Sequence, residues 1–151
     1  DGGAGNDTIA GGGGHDDVWG GAGADRLIAD GGNDRLTGGP GNDYLGGEAG
    51  TDLISGGGGK DTFSYTANGS FLFGGGGIDR ITDFDPNGAD DDLMIMLINY
   101  GFGVDSFADL KRGMRMSRGD TVMNFGNGDV LILEDVSIRE LRADDFLIFG
   151  G

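Results

Sequence analysis

The chain has 151 residues, the size of one ordinary domain, and 36 of them are glycine, more than three times the usual share of about 7%, which excludes an average globular enzyme. Two prolines and no Gly-X-Y period exclude collagen, and a hydrophobic share of 36% is too high for a purely solvating tail. A net charge of −16, from 26 acids against 10 lysines and arginines, argues against nucleic acid and anionic membrane surfaces as partners.

Of the 26 acids, 23 are aspartate, a bias that suits short carboxylates held close to a tightly turning backbone, as oxygen-ligating cation sites require. Cysteine is absent, so there is neither a disulfide framework nor a thiolate zinc site. The longest apolar run, Leu93 to Ile98, is too short to cross a bilayer, so no transmembrane segment is expected. Asp1 opens the chain without a charged-then-apolar leader. The chain is read as the carboxyl-terminal part of something longer.

From Gly2 the chain repeats with a period of nine: GGAGNDTIA, GGGGHDDVW, GGAGADRLI, ADGGNDRLT, GGPGNDYLG, GEAGTDLIS, GGGGKDTFS, a degenerate YTANGSFLF from Tyr65, and GGGGIDRIT from Gly74. Position six is Asp7, Asp16, Asp25, Asp34, Asp43, Asp52, Asp61, Ser70 and Asp79; position eight is apolar throughout, from Ile9 to Ile81; position four is glycine in every unit except the one carrying Asn68. Glycines at positions one, two and four permit positive φ, so the first six residues can curl into a loop with inward carbonyls. The last three residues predict a short strand whose middle side chain faces inward. Two units then form one coil of 18 residues. Stacked coils bring carboxylates of alternate units to about the 4.8 Å strand spacing, where like charges repel by roughly 1 kcal/mol per pair even in water. A Ca²⁺ between two loops, needing six to eight oxygens, relieves that repulsion and couples folding to binding.

After Thr82 the glycines thin out from 27 to nine, and 11 of the 13 aromatics lie from Phe63 onward. Asp79 to Asp85 followed by Leu93 to Ile98 predicts strand, acidic loop, strand. Ser106 to Gly113 predicts a short helix with Ser106 as N-cap and Gly113 as stop. Thr121 to Phe125 and Val130 to Leu133 flank a connection from Gly126 to Asp129 suited to a hairpin. Ser137 to Glu140 has the form of a capping box opening another short helix, and Phe146 to Phe149 predicts a last strand. A solenoid exposes an apolar cross-section at its end, so this half, 83–151, is read as a cap on the repeat region 1–82.

Other features receive plainer readings. Gly56 to Asp61 contains Gly59-Lys60, but Asp61 stands where a phosphate loop needs Ser or Thr. His15, the only histidine, sits at the fifth position of its unit and is read as a solvated loop residue rather than a transition-metal ligand. Trp19, at an outward ninth position, is read as packed surface. Asp90, Asp91 and Asp92 read as a solvated acidic loop, with an irregular additional Ca²⁺ site as the alternative. Arg112, Arg115 and Arg118 read as a solvated face, with an anionic-ligand patch as the alternative. No catalytic residues are expected, because no base lies near the serines in sequence.

The unit G-G-x-G-x-D-x-U-x resembles the RTX calcium-binding nonapeptide. The resemblance covers residues 2 to 82 and implies an all-β fold, a right-handed parallel β-roll with a mainly β cap containing short helices. It also implies the ligands of about five to seven Ca²⁺: Asp7, Asp16, Asp25, Asp34, Asp43, Asp52, Asp61 and Asp79, with loop carbonyls near Gly3, Gly5, Gly12, Gly14, Gly21, Gly23, Gly32, Gly39, Gly41, Gly50, Gly57 and Gly59. One edge is implied to pair Asp7 with Asp25, Asp25 with Asp43 and Asp43 with Asp61. The other pairs Asp16 with Asp34 and Asp34 with Asp52, with Ser70 interrupting it. A further site between Asp61 and Asp79 has to cross the degenerate unit.

Asp79, Ile81, Asp83 and Phe84, and then Asp144 to Ile148, resemble segments that follow such repeats. The resemblance places part of an export signal in Ala143 to Phe149, and implies type I secretion from a Gram-negative bacterium and folding in extracellular calcium. The expected function is a calcium-folded module supporting a larger secreted protein. The alternative is a calcium-dependent adhesin or polysaccharide-contacting module with a surface glycan as partner.

Overall fold

The structure, a computed structural model, describes residues 1–67, 77–87, 92–98, 104, 106–126 and 128–149. Its amino-terminal part runs through β1 (Gly3–Ala4), β2 (Thr8–Gly13), β3 (Asp17–Trp19), β4 (Gly21–Ala22), β5 (Arg26–Gly31), β6 (Arg35–Pro40), β7 (Tyr44–Gly46), β8 (Leu53–Gly58), β9 (Thr62–Ala67), β10 (Ile78–Ile81) and β11 (Leu93–Ile98). Then come α1 (Phe107–Gly113), β12 (Met114–Ser117), β13 (Asp120–Gly126), β14 (Asp129–Leu133), a 3-10 turn at Ala143–Asp145, and β15 (Phe146–Phe149). Consecutive repeat strands alternate between two sheets. One is ordered β2-β5-β7-β9-β11-β15 and the other β3-β6-β8-β10-β14-β13-β12, with β1 and β4 forming a small separate pair.

Every pairing among the repeat strands is parallel. Thr8 lies against Arg26, Arg26 against Tyr44 and Tyr44 against Thr62 in one sheet, the 18-residue coil the period predicts. This is a parallel β-roll. Its strands are longer than the three residues expected: β2, β5, β6 and β8 each take six, from the seventh position through the third of the following unit. Glycine explains the extension. At φ 95 and 111°, Gly12 and Gly39 hold a mirror-image extended backbone that still pairs with the adjacent coils, Gly12 with Asp30 and Gly39 with Gly57.

Position eight forms the core. Val18, Leu27, Leu36, Leu45, Ile54, Phe63 and Ile81 are buried, while Ile9 in the first coil is half-buried against them. Each fully buried Leu contributes about 1.5–3 kcal/mol from desolvation, so a coil holding only two such side chains is weakly held by its core alone.

The register changes once, and this corrects the unbroken nine-unit reading. Arg80 pairs with Leu53 and Ile81 with Ile54, an offset of 27 residues instead of 18. Tyr65, Thr66 and Ala67 end β9 in the first three positions of a unit, and Gly77, Ile78 and Asp79 resume it at positions four to six. Residues 68–76 are therefore an insertion one repeat long. Ser70, Asn68 and Leu72 fall within it, outside the described residues.

Beyond residue 82 the same two sheets continue. β11 lies parallel on β9 and β15 parallel on β11; β14 lies parallel on β10 and then turns antiparallel into β13 and β12. Aromatic side chains fill the end of the roll: Phe63 meets Phe84 at 5.8 Å between centroids, Phe84 meets Phe146 at 6.3 Å, and Phe107 stacks on Phe146 at 5.3 Å. α1 forms as predicted, with Ser106 Oγ accepting from the Asp109 amide, although Gly113 ends inside it and Met114 is the cap residue. Ser137 to Glu140 makes half of the predicted box, the Ser137 amide donating to the Glu140 carboxylate at 2.8 Å, but the chain there forms a turn and no α-helix, only the 3-10 turn at Ala143–Asp145, follows. β12 was not anticipated. It joins β13 through Arg118 and Gly119, both at positive φ (59 and 110°), a two-residue hairpin turn of the primed kind. Among the described residues no helix is long and apolar enough to cross a membrane.

Candidate metal centres

The position-six aspartates form two ladders. In each gap the backbone amide of one aspartate donates to Oδ1 of the aspartate on the coil above. The seven bonds of 2.8–2.9 Å run Asp7 to Asp25, Asp25 to Asp43, Asp43 to Asp61 and Asp61 to Asp92 on one edge, and Asp16 to Asp34, Asp34 to Asp52 and Asp52 to Asp79 on the other. The expected pairs through Asp61 and Asp52 are thus brought together. The pairing of Asp61 with Asp79 is not: the inserted repeat carries Asp79 to the opposite edge, above Asp52, and Asp92 occupies the place above Asp61. Asp90 and Asp91 lie outside the described residues.

Above the first coil Oδ1 is engaged, and Oδ2 remains. In Asp7, Asp16, Asp25, Asp34, Asp43 and Asp52 that oxygen is buried and has no hydrogen-bond partner. For Asp7, Asp16, Asp25 and Asp43 it lies against the first glycine of the unit and close to a carbonyl from the next coil; Asp52 lies against Gly47, and the unit of Asp34 opens on Ala29 instead. A Cβ built on Gly20 would fall 2.5 Å from Asp25 Oδ2 and 2.7 Å from Gly38 O, and one on Gly2 would fall 2.7 Å from Asp7 Oδ2 and 2.5 Å from Gly20 O. At the second and fourth positions the carbonyls stack in columns, so that a Cβ on Gly21 or Gly23 would overlap the Gly3 or Gly5 oxygen of the coil below. The same holds along Gly39, Gly41, Gly57 and Gly59, and for Gly32 and Gly50 over Gly14 and Gly32 on the other edge.

An orphaned carboxylate oxygen in a cradle of carbonyl oxygens is a donor set for a hard divalent cation, so the residues fit Ca²⁺. No group of three or more acidic, His or Cys side chains converges among the described residues; each cradle is made of two carboxylates and backbone oxygen.

Without a cation the ladders are electrostatically strained. Asp61 is pushed up to about 7, by burial first and then by the charges of Asp92, Asp43 and Asp83, against the opposing hydrogen bond from the Asp43 amide. Burial likewise raises Asp79 to about 7, helped by Asp52 and Asp129 and opposed by the Asp52 amide. Asp52 and Asp92 are raised to about 6, again chiefly by burial.

Sequence reading missed several members of these edges. The fifth position carries its own ladder: Asn6 Oδ1, His15 Nδ1, Asn33 Oδ1, Asn42 Oδ1 and Thr51 Oγ1 accept amide bonds of 2.8–3.0 Å from the coil above. His15 is thus an exposed loop residue with a structural acceptor role. Asp83 takes three bonds, from Ser55 Oγ and the amides of Gly56 and Gly57, at 2.7–3.0 Å. Asp92 binds the Asp85 amide through Oδ2. Trp19 and the three arginines Arg112, Arg115 and Arg118 are exposed, as read.

Coils of paired nonapeptides, stacked in parallel on two carboxylate ladders, define a repeat-built cation-binding β-roll. The family model for the RTX calcium-binding nonapeptide repeat matches residues 1–27 and 28–63. Among solved structures, the AlgE6R3 subunit of the Azotobacter vinelandii mannuronan C5-epimerase is 30% identical, with a TM-score of 0.55, over 88% of this chain and 78% of that one. The chain belongs to the RTX calcium-binding nonapeptide-repeat family, and its repeat region is a calcium-binding module. The extracellular lipase LipA from Serratia marcescens shares the fold, at 22% identity and a TM-score of 0.64 over 88% of this chain. The chain spans 19% of that lipase's length. No curated protein sequence matches it.

Proposed function

We propose that this chain is a module that folds on binding extracellular Ca²⁺ and stabilises a larger secreted protein. The observation that carries the reading is the set of six buried, unpartnered Oδ2 atoms, five of them lying against the first glycine of their unit. Each gap between stacked aspartates takes one ion, with loop carbonyls as its other protein ligands: Asp7 with Asp25, Asp25 with Asp43, Asp43 with Asp61, Asp61 with Asp92, Asp16 with Asp34, Asp34 with Asp52, and Asp52 with Asp79. In the low calcium of a cytoplasm the repeats stay extended and can be threaded. Outside, each ion that closes a gap orders the loops of the next. Residues 1–82 form the roll and 83–151 the cap, and the segment Ala143 to Phe149 contributes to recognition by a type I exporter in a Gram-negative bacterium.

Calcium titration followed by circular dichroism and calorimetry tests this. The expected result is little regular structure in chelator and a cooperative gain of β signal with about seven ions bound. Asp34→Asn, which touches two gaps, should lose two ions and Asp16→Asn one; equal losses, or a chain equally compact in EDTA, would overturn the scheme. The likeness to an epimerase subunit favours a second reading, a calcium-dependent polysaccharide-contacting module. Glycan binding in calcium but not in chelator is its test.

A further inference from the structure

One strand above Asp79 lies another buried carboxylate, off the ladder. Above β10 lies β14, registered so that Ile78 faces Val130 and Asp79 faces Leu131. Asp129, Leu131 and Leu133 point into the core on alternate residues, so Asp129 sits beside Gly77 and is the diagonal inward neighbour of Asp79. It is 1% exposed, and both of its carboxylate oxygens are buried without a hydrogen-bond partner. The Gly77 carbonyl is already taken by the Val130 amide at 2.9 Å. Across the interior, Tyr65 is buried on Phe125, with ring centroids 5.4 Å apart. Phe125 precedes Gly126, which pairs with Asp129 across the hairpin, so the Tyr65 ring packs on the same inward face as Asp129.

A carboxylate left wholly unpaired inside an apolar core costs several kcal/mol, and a second carboxylate next to it adds repulsion. Beside Asp129 on the inward face of its strand stands Leu131, and across the hairpin Gly126 pairs with it next to the buried Phe125; none of these answers a negative charge. A small hard cation does, and carboxylate and phenol oxygens suit it, with water completing the shell.

We propose that Asp129, together with Asp79 and the Tyr65 phenol, forms a further divalent-cation site at the junction of roll and cap, built on a residue outside the nonapeptides. The site fastens the cap hairpin to the last coil, so that cap docking depends on calcium as coil stacking does. The inference rests on the calcium reading of the repeats.

The experiment measures stoichiometry by calorimetry, and Tb³⁺ emission excited through tyrosine, on the wild type and on Asp129→Asn, Tyr65→Phe and Asp16→Asn. Expected are one ion fewer for Asp129→Asn, and a distinct loss of tyrosine-sensitised emission for both Asp129→Asn and Tyr65→Phe. If Asp16→Asn loses an ion while Asp129→Asn keeps the full number, the inference is overturned and the repeat reading stands. If the wild type binds no calcium, the repeat reading itself falls. Should Asp129→Asn not fold, Tyr65→Phe decides alone: unchanged Tb³⁺ emission with a native dichroism spectrum overturns the site.

Discussion

Asp30 and Glu48 occupy the second position of their units, where Gly12 stands one coil below, and both are held at positive φ, 73 and 69°. Only glycine adopts that region without steric cost; for other residues it is about 1–2 kcal/mol, least for Asp and Asn. The two also stack on adjacent coils, Gly31 pairing with Ala49 beside them. Glu48 is raised by burial and by the Asp30 charge, with Arg26 opposing. Glu48→Gly therefore removes both a strained backbone and a like-charge pair, and glycine's extra freedom in the unfolded chain offsets only part of the gain. A stabilisation of about 1 kcal/mol is expected, read as a rise of roughly 2–4 °C in melting temperature in saturating calcium. A fall would show that Glu48 contributes to the roll in a way its conformation does not reveal.

At the scale of elements, the inserted repeat is the most consequential feature. Because residues 68–76 are one period long, Gly74 to Thr82 stays in phase with everything before it, and the sequence alone reads nine units. Tyr65-Thr66-Ala67 joined to Gly77-Ile78-Asp79 is itself a unit, and deletion of 68–76 creates it in the chain. An insertion changes loop-closure entropy by only about 0.6 kcal/mol per doubling of length. The deletion should therefore preserve the β signal and the calcium stoichiometry, and move the melting temperature by no more than a few degrees. Loss of one ion would show that the inserted segment supplies ligands.

The rest of the fold divides along similar lines. Aspartate at position six and an apolar residue at position eight are local rules written into each unit, so both ladders and the core of the roll were legible. Asp83 and Asp92 join the ladders or their loops through register between distant segments, 27 and 31 residues from their partners in the repeats, and Asp129 comes beside β10 through the pairing of β14; no periodicity announces them. Ser137 to Glu140 carries the local signal of a helix start, yet no amphipathic segment follows to bury, so only the turn forms.

For the whole molecule, the protonation of the ladders decides how calcium and pH trade against each other. In the calcium-free fold Asp52 and Asp92 titrate near 6, and Asp61 and Asp79 near 7, whereas carboxylates of an unfolded chain titrate near about 3.9. Raised folded-state values mean that the fold binds more protons than the unfolded chain between these limits. The stability they contribute is complete below about pH 4 and is lost as pH rises through 6 to 7. Calcium must displace those same protons, so its apparent affinity runs the opposite way and increases across the window. The net charge of −16 adds repulsion with the same sign, but exposed charges are screened within about 8–10 Å at moderate salt, and the buried ladders much less. At 0.5 M NaCl the calcium midpoint from circular dichroism is therefore expected to fall steadily from pH 5.5 to pH 8, while in chelator the chain is more compact at pH 5 than at pH 8. A midpoint independent of pH at high salt would mean that surface repulsion, and not the buried aspartate columns, keeps the empty chain from folding.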